Sequence, residues 1–189
     1  SFQREGPLDM RFSPRKQKTK ASDLVNELSE RDLAEILSRF GEERFARRIA
    51  QAIVRNRPLS TTKQLATVVE KAIGRRGRIH PATKTFQALR IVVNDELGCL
   101  EAALPQAVNC LVPGGRLAVI SFHSLEDRVV KEYFRQEASQ CICPPEAPIC
   151  TCEHKPTLAI VTKRALRPSP AEIEHNPRSR SAKLRIVSR

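Results

Sequence analysis

Apolar residues recur every three or four positions through residues 21–97, a spacing that predicts a succession of amphipathic helices. Ser29 with Asp32 forms a capping pair ahead of Leu33, Ile36, Leu37 and Phe40, which share one face, and Gly41 is placed to end that helix. Phe45, Ile49, Ala50, Ile53 and Val54 mark a second helix that stops before Pro58. Thr61 and Gln64 form a further capping pair ahead of Leu65, Val68, Val69, Ala72 and Ile73, with Gly74 and Gly77 as breaks. Each stripe is wide enough for one buried face, so these helices are expected to pack as a small bundle. A long helix follows from about Ala82 to Leu97, with Phe86, Leu89, Val93 and Leu97 in register.

Beyond Gly98 the pattern changes. A helix is expected over 101–111, then the turn Pro113-Gly114-Gly115 and a short apolar run, Leu117 to Phe122. That run suits a strand in the middle of a parallel sheet, covered on both faces. Ser124 with Asp127 has the spacing of a capping box, so a helix should run from Ser124 to about Glu137. Residues 138–156 are rich in Pro and Cys and lack periodicity, which predicts a loop or small insert. Thr157 to Thr162 suits a second buried strand, ended by Pro168 and Pro170, and Lys183 to Val187 alternates like a closing strand. The order implies an α/β fold, the second half of a doubly wound sheet preceded by a helical lobe. No GxGxxG pattern occurs in the chain.

Length sharpens this to one domain, or a domain with an attached lobe: 189 residues, 40% hydrophobic. No apolar run approaches membrane-spanning length. The opening SFQREGPLDMRF has neither an initiator Met nor an apolar leader, so the chain is expected to begin inside a longer cytoplasmic protein. Charge adds a partner class. Thirty-three Lys and Arg against 21 Asp and Glu give +12, gathered at 11–20, 75–78 and 178–189. Such clusters point to a phosphate-rich partner, with nucleic acid favoured over an anionic membrane because no basic amphipathic helix is evident. With seven Phe, one Tyr and no Trp, the chain is poor in rings for stacking bases, which argues for gripping RNA by its backbone.

Two groups invite chemistry. Arg90 and Asn94 lie one turn apart beside an apolar face, as interface residues or as solvated flank. Cys141, Cys143, Cys150 and Cys152 frame CICPPEAPICTC: as thiolates they suit a structural zinc clip, and as plain thiols they are reduced or adventitiously oxidised cysteines. Cys99 and Cys110 are expected to be small buried residues, and His80 to be structural.

Four segments carry a family resemblance: GPLDMRF at 6–12, HPATKTFQALRIVVNDEL at 80–97, PGGRLAVISFHSLEDRVVK at 113–131 and NPRSRSAKLRI at 176–186, with GEERFARRIAQAIV at 41–54 between them. Together they resemble the MraW family of bacterial small-subunit ribosomal RNA methyltransferases. The resemblance implies S-adenosylmethionine-dependent methylation of the exocyclic N4 of a cytidine in 16S rRNA of the small ribosomal subunit. It also implies a Rossmann-like domain interrupted by a helical lobe. On that basis residues 1–12 are expected to be a remnant of the methyltransferase core. Residues 13–96 become the inserted lobe that recognises substrate. Residues 97–189 become the carboxyl-terminal half of the methyltransferase domain, with a Cys-rich insert at 141–152.

In that family the main cofactor contacts lie upstream of GPLDMR, so none is assigned here, and this chain alone is expected to be inactive. Transfer to an amino nitrogen needs a positioned nucleophile and a polar proton acceptor, and no covalent intermediate. Asp9, His123 and Ser124 are the catalytic candidates: Asp9 beside Arg11, the other two where the core strand ends. Arg11, Arg90, Asn94, Asn176, Arg178 and Arg180 are the RNA-binding candidates. Asp9 and Arg11 read equally as a turn salt bridge, Ser124 as a helix cap, and 176–180 as a solvated basic loop. The alternatives from other classes are a non-catalytic basic RNA-binding module and a zinc-clipped DNA-binding protein.

Overall fold

The computed structural model describes residues 4–74, 80–144, 147 and 149–189 and divides into two compact units, Ser1–Glu96 and Leu97–Arg189. The basic stretch 75–78 and the Gly77 break lie outside the described residues. Among the described residues no helix is long and apolar enough to cross a membrane.

The first unit is helical: α1 (Ala21–Glu27), α2 (Glu30–Gly41), α3 (Ala46–Arg55), α4 (Thr62–Ile73) and α5 (Thr83–Asn94). Its local signals are those in the sequence. The Ser29 hydroxyl accepts from the Asp32 amide, and Thr61 and Gln64 complete a reciprocal capping box. Leu33, Leu37, Ile49, Ile53, Leu65, Val69 and Leu89 form a fully buried core between α2, α3, α4 and α5. Gly41 has a different purpose from the expected one. Glu42 takes the left-handed cap, at φ 47°, while Gly41 stays helical and its missing side chain makes room for α5, since a Cβ there would meet the Lys84 carbonyl oxygen at 2.8 Å.

Residues 4–12, the stretch expected to be a remnant of the methyltransferase core, pack in this chain with the helical unit. Leu8 is 1% exposed within the helical core. Its amide donates to the Ser60 carbonyl (2.9 Å), its carbonyl accepts from the Ser22 amide (2.7 Å), and the Gly6 carbonyl accepts from the Thr62 amide (2.9 Å). The expected long helix to Leu97 is two helices. Asp95 turns left-handed at φ 48°, and α6 (Glu96–Asn109) starts there and runs through Gly98.

In the second unit α6 leads into β1 (Arg116–Ser121), α7 (Ser124–Glu137), β2 (Ala159–Ile160), α8 (Pro170–His175), a 3₁₀ turn (Pro177–Ser181) and β3 (Lys183–Ser188). The strands form one sheet in the order β1-β3-β2, antiparallel throughout, with Leu117 opposite Val187 and Ser121 opposite Lys183. This replaces the expected parallel arrangement. The cause lies at the strand ends: Gly114 donates to the Arg189 carbonyl (2.7 Å) and Arg189 donates to the Gly115 carbonyl (2.9 Å), tying the end of β3 to the start of β1.

The apolar run of β1 is covered on one face only. Leu117 and Val119 pack on the cluster of Leu104, Val108, Val130, Phe134, Leu158 and Val187, whereas Ile120 and Phe122 are 57% and 54% exposed. β2 is two exposed residues instead of a buried strand, and only Leu158 beside it is buried. Cys99 and Cys110 are exposed, not buried, because α6 turns only Leu104 and Val108 fully inward.

Leu8→Ala should cost roughly 2–5 kcal/mol, because the pocket between α1 and the start of α4 cannot collapse around it. Urea unfolding of the pair of proteins measures this, and an unchanged midpoint would show that the amino-terminal segment contributes nothing to the helical core.

Candidate functional site

In the helical unit the predicted residues form one latch. The Asp9 carboxylate grips Arg11 bidentately, from Nε at 2.6 Å and Nη2 at 2.9 Å. Arg11 also donates through Nη1 to the Gln17 carbonyl at 2.9 Å. Hydrogen bonds from the Arg11 side chain hold the Asp9 carboxyl down at about 2, against the opposing effect of burial. Asp9 is therefore a carboxylate at neutral pH and a weak base. Between the pair, Met10 sits at φ 65°, a conformation that costs a non-glycine residue energy and persists where surroundings over-determine it.

Asn94 supplies much of that determination. Its amide nitrogen donates to the carbonyls of Met10 (2.9 Å) and Arg90 (2.8 Å), and its oxygen accepts from the Phe12 amide (2.8 Å) and Gln17 Nε2 (2.9 Å). Asn94 is buried, with its amide spent within the chain, so it organises the 9–17 loop and offers little to a ligand directly. Arg90 is held by Glu96 through Nε (2.6 Å) and Nη2 (2.9 Å) yet keeps a half-exposed side chain. What the latch displays is Phe12, 71% exposed, with Arg15, Lys16, Lys18 and Lys20 exposed beside it.

A second feature of this unit is absent from the sequence-derived candidates. A groove of about 1070 Å³ runs along α2 and α3, lined by Arg31, Arg39, Arg44, Arg47 and Arg48 with Glu30, Glu35 and Glu43. Arg44 lies over the Phe45 ring at 4.6 Å and Arg39 over Phe40 at 5.1 Å, which stiffens both side chains. Glu43 is buried and accepts from the Phe45 amide, so its charge is partly spent inward. The signal was the dense RFGEERFARR at 39–48, where Glu42 and Glu43 offset part of the charge of four arginines in a simple count.

In the second unit the predicted strand end is built differently from the expectation. The cap of α7 is His123, one residue before Ser124, and its box partner is Glu126. His123 Nδ1 accepts from the Glu126 amide (3.2 Å), while Glu126 Oε2 accepts from the amides of Phe122 (2.7 Å) and His123 (3.2 Å). With Nδ1 accepting, the neutral imidazole carries its proton on Nε2, which lies 3.4 Å from Glu126 Oε1. Ser124 is the first helical residue and only half-buried.

Asp127, expected as the box partner, instead takes Arg185 (Nε 2.7 Å, Nη2 3.2 Å) and Lys183 (3.0 Å) from β3. Burial raises its carboxyl, and the hydrogen bonds from Arg185 and then Lys183 more than offset that, leaving it below its ordinary value. Much of the carboxyl-terminal basic cluster is thereby structural: Lys183 and Arg185 serve Asp127, and Arg189 donates to the Leu111 carbonyl at 2.7 Å. Asn176, Arg178 and Arg180 remain exposed, turned outward by a 3₁₀ turn whose inward residue is Ser179.

The four clip cysteines converge at one point, with Sγ atoms of all four within 4.8 Å of one another. The glycine pair does not fit a phosphate or cofactor cradle. The Gly114 and Gly115 amides donate to Arg189 and Val112 carbonyls, and a Cβ on Gly115 would meet the Val112 oxygen at 2.8 Å. No S-adenosylmethionine-binding residue is assigned within this chain.

A helical unit with a basic groove, joined in sequence to a small α/β unit with a capped strand end, defines a mixed α/β protein. The chain belongs to the MraW methylase family, whose model matches residues 1–189. It is 58% identical over 190 residues to the ribosomal RNA small subunit methyltransferase H of Dehalococcoides mccartyi, covering all of this chain and 54% of that protein. The proteins of the same name from Thermomicrobium roseum and Heliobacterium modesticaldum are 56% and 51% identical over all of this chain and 59% and 62% of their own lengths. The chain thus spans somewhat more than half the length of these curated relatives.

Asp127→Asn should destabilise the protein by about 2–3 kcal/mol at neutral pH, since it strands two cations at a partly buried site. The native carboxyl is depressed, so its contribution is complete above the unfolded value of 3.8 and is lost as pH falls through the lower folded value. Chemical denaturation of wild type and variant across that range should show the two stabilities converging in acid; a constant gap would remove the charge from the explanation.

Proposed function

We propose that this chain is part of an S-adenosylmethionine-dependent enzyme that methylates N4 of a cytidine in 16S rRNA within the small ribosomal subunit. Family membership carries the reading, together with relatives named as ribosomal RNA small subunit methyltransferases across the whole of this chain. The helical unit, 13–96 with the 4–12 segment packed on it, recognises RNA. Residues 97–189 are a portion of a Rossmann-like catalytic domain whose remaining strands, and whose cofactor-binding residues, belong to the length of the relatives that this chain does not match. The exposed face of β1, with Ile120 and Phe122, supports such a continuation, because a strand apolar on both faces is built to be covered on both. The 189 residues by themselves then transfer no methyl group.

The cytosine amino group is a poor nucleophile because its lone pair is delocalised into the ring, and S-adenosylmethionine supplies the electrophilic methyl. What this chain contributes is placement. A carboxyl at about 2 holds a proton poorly, so Asp9 acts as a hydrogen-bond acceptor or an anchor for Arg11, not as the final proton store. His123 and Ser124 stand at the strand end as the other candidates, His123 with its ring oriented by Glu126. Arg11, Arg90, Arg178 and Arg180 are the proposed phosphate contacts, with the α2–α3 arginines added to them and Asn94 acting through the loop it fixes. Such an enzyme works in the cytoplasm, where ribosomal subunits are.

The groove arginines also favour a second reading, a basic RNA-binding module without catalysis. One experiment separates the two: the protein at the full length of its relatives is incubated with labelled S-adenosylmethionine and small ribosomal subunits, and the modified nucleotide is mapped. N4-methylated cytidine is the expected product, and RNA binding without label transfer would sink the enzyme reading. Alanine at Asp9 or His123 should lower turnover at least tenfold, more than the loss of a salt bridge or a helix cap lowers stability; wild-type turnover in both variants rejects their placement. Arg44→Ala and Arg48→Ala should each weaken RNA binding and reduce the slope of log affinity against log salt by about 1 for each phosphate no longer neutralised. Unchanged slopes in a filter-binding titration would remove the groove from the interface.

A further inference from the structure

The connection from α7 to β2 is long and, among its described residues, carries little apolar packing, yet it is closed at its base. At its base the Glu137 carbonyl accepts from the amides of Thr157 (2.9 Å) and Leu158 (3.3 Å), and His154 Nε2 lies 3.1 Å from the Gln136 carbonyl. At its tip the described residues form no core: Ile142 and Ile149 are 44% and 75% exposed, and the cysteines are exposed or half-exposed. A segment with nothing to bury needs another reason to fold back on itself.

The thiols supply that reason. Cys141 Sγ lies 3.3 Å from Cys150 Sγ and 3.8 Å from Cys152 Sγ, while Cys150 Sγ lies 4.0 Å from Cys143 Sγ and 3.5 Å from Cys152 Sγ. Four sulfurs around zinc at about 2.3 Å stand about 3.8 Å apart along the edges of the tetrahedron, and these four separations of 3.3–4.0 Å bracket that value. A disulfide would bring one pair to about 2.05 Å, and none of these pairs approaches that. The sulfurs are also too close together to span the separate irons of a multi-iron cluster. Two backbone amides point at sulfur, Cys143 at Cys141 (3.4 Å) and Ile142 at Cys152 (3.5 Å), the kind of outer support that orients thiolate ligands.

We propose that Cys141, Cys143, Cys150 and Cys152 bind one zinc ion as a Cys₄ structural site that clips the α7–β2 connection. Four thiolates fill the tetrahedron, leaving no open position for water or substrate, so the metal holds the segment and takes no part in the chemistry. Zinc lets the polypeptide fold here without a core, in the manner of small metal-stapled motifs. The site is independent of the methyl-transfer reading and would be present in a protein that only binds RNA.

The test uses the whole protein purified under reducing conditions from zinc-supplemented cells. Metal analysis should find one zinc per chain, and cobalt exchanged into the site should give the thiolate charge-transfer band and intense visible bands of a tetrahedral sulfur environment. Alkylation followed by mass spectrometry should modify the exposed Cys99 and Cys110 while zinc protects the other four, with protection abolished by chelation. Cys150→Ser should weaken zinc binding at least tenfold. If that variant fails to fold, the cobalt spectrum and the alkylation pattern of the wild type still decide. Zinc content near zero after incubation with the metal, bound iron in its place, alkylation of all six cysteines regardless of zinc, or disulfides among the four under reducing conditions would each overturn the site.

Discussion

Asp127 joins the two kinds of structure in the carboxyl-terminal unit. It stands in the first turn of α7, where a carboxylate also complements the helix dipole, and it receives both cations of β3. β3 is the central strand, paired with β1 on one side and β2 on the other, so fixing β3 against α7 fixes the register of the sheet. The geometry is bidentate from Arg185, and the carboxylate is largely removed from water. An ion pair of that sort adds little net stability compared with a well-packed apolar alternative, but it is costly to break from one side. Its value here is specificity: a slip of one residue along β3 would turn Arg185 to the other face and put its neighbours where the carboxylate waits.

The helical unit uses a neutral counterpart. Asn94 ends α5 with its amide engaged on both sides, and it binds a loop more than seventy residues earlier in the chain. Asp9 and Arg11 close the same loop from within, and Met10 is held in its unfavourable conformation between them. Strain of this kind survives because the surrounding bonds leave the backbone no cheaper arrangement. The result is a rigid platform from which Phe12 and neighbouring cations project.

Features decided by adjacent residues were legible in the sequence. The caps at Ser29 and Thr61 and the stripes of α2, α3 and α4 depend on neighbours three and four positions away, and they formed as expected. Features decided by distant partners were not. SLED and HSLE offer overlapping capping patterns, and the choice of His123 over Ser124 fits with Asp127 being drawn to residues 56 and 58 positions along the chain. Likewise, Asn94 and Arg90 look alike in the helical pattern, yet one is buried by the amino-terminal loop and the other leans on Glu96. The direction of the sheet was misread because an apolar run such as LAVISF signals two-faced burial and carries no information about strand polarity. At the site, the residue types were visible while their occupations were not: Asp9 is neutralised by its neighbour, and Arg39, Arg44, Arg47 and Arg48 come together only when α2 and α3 pack side by side.

The outer edge of β1 has a bearing on the handling of the polypeptide itself. In this sheet β1 is a terminal strand, its far side pairs with no strand among the described residues, and Ile120 and Phe122 lie open at its end. Unpaired backbone donors and acceptors beside exposed apolar side chains are a template for the next chain that comes by. Pairing of that kind is intermolecular and so rises with concentration. The solubility of these 189 residues is therefore set in large part by one six-residue segment and should fall as their concentration rises.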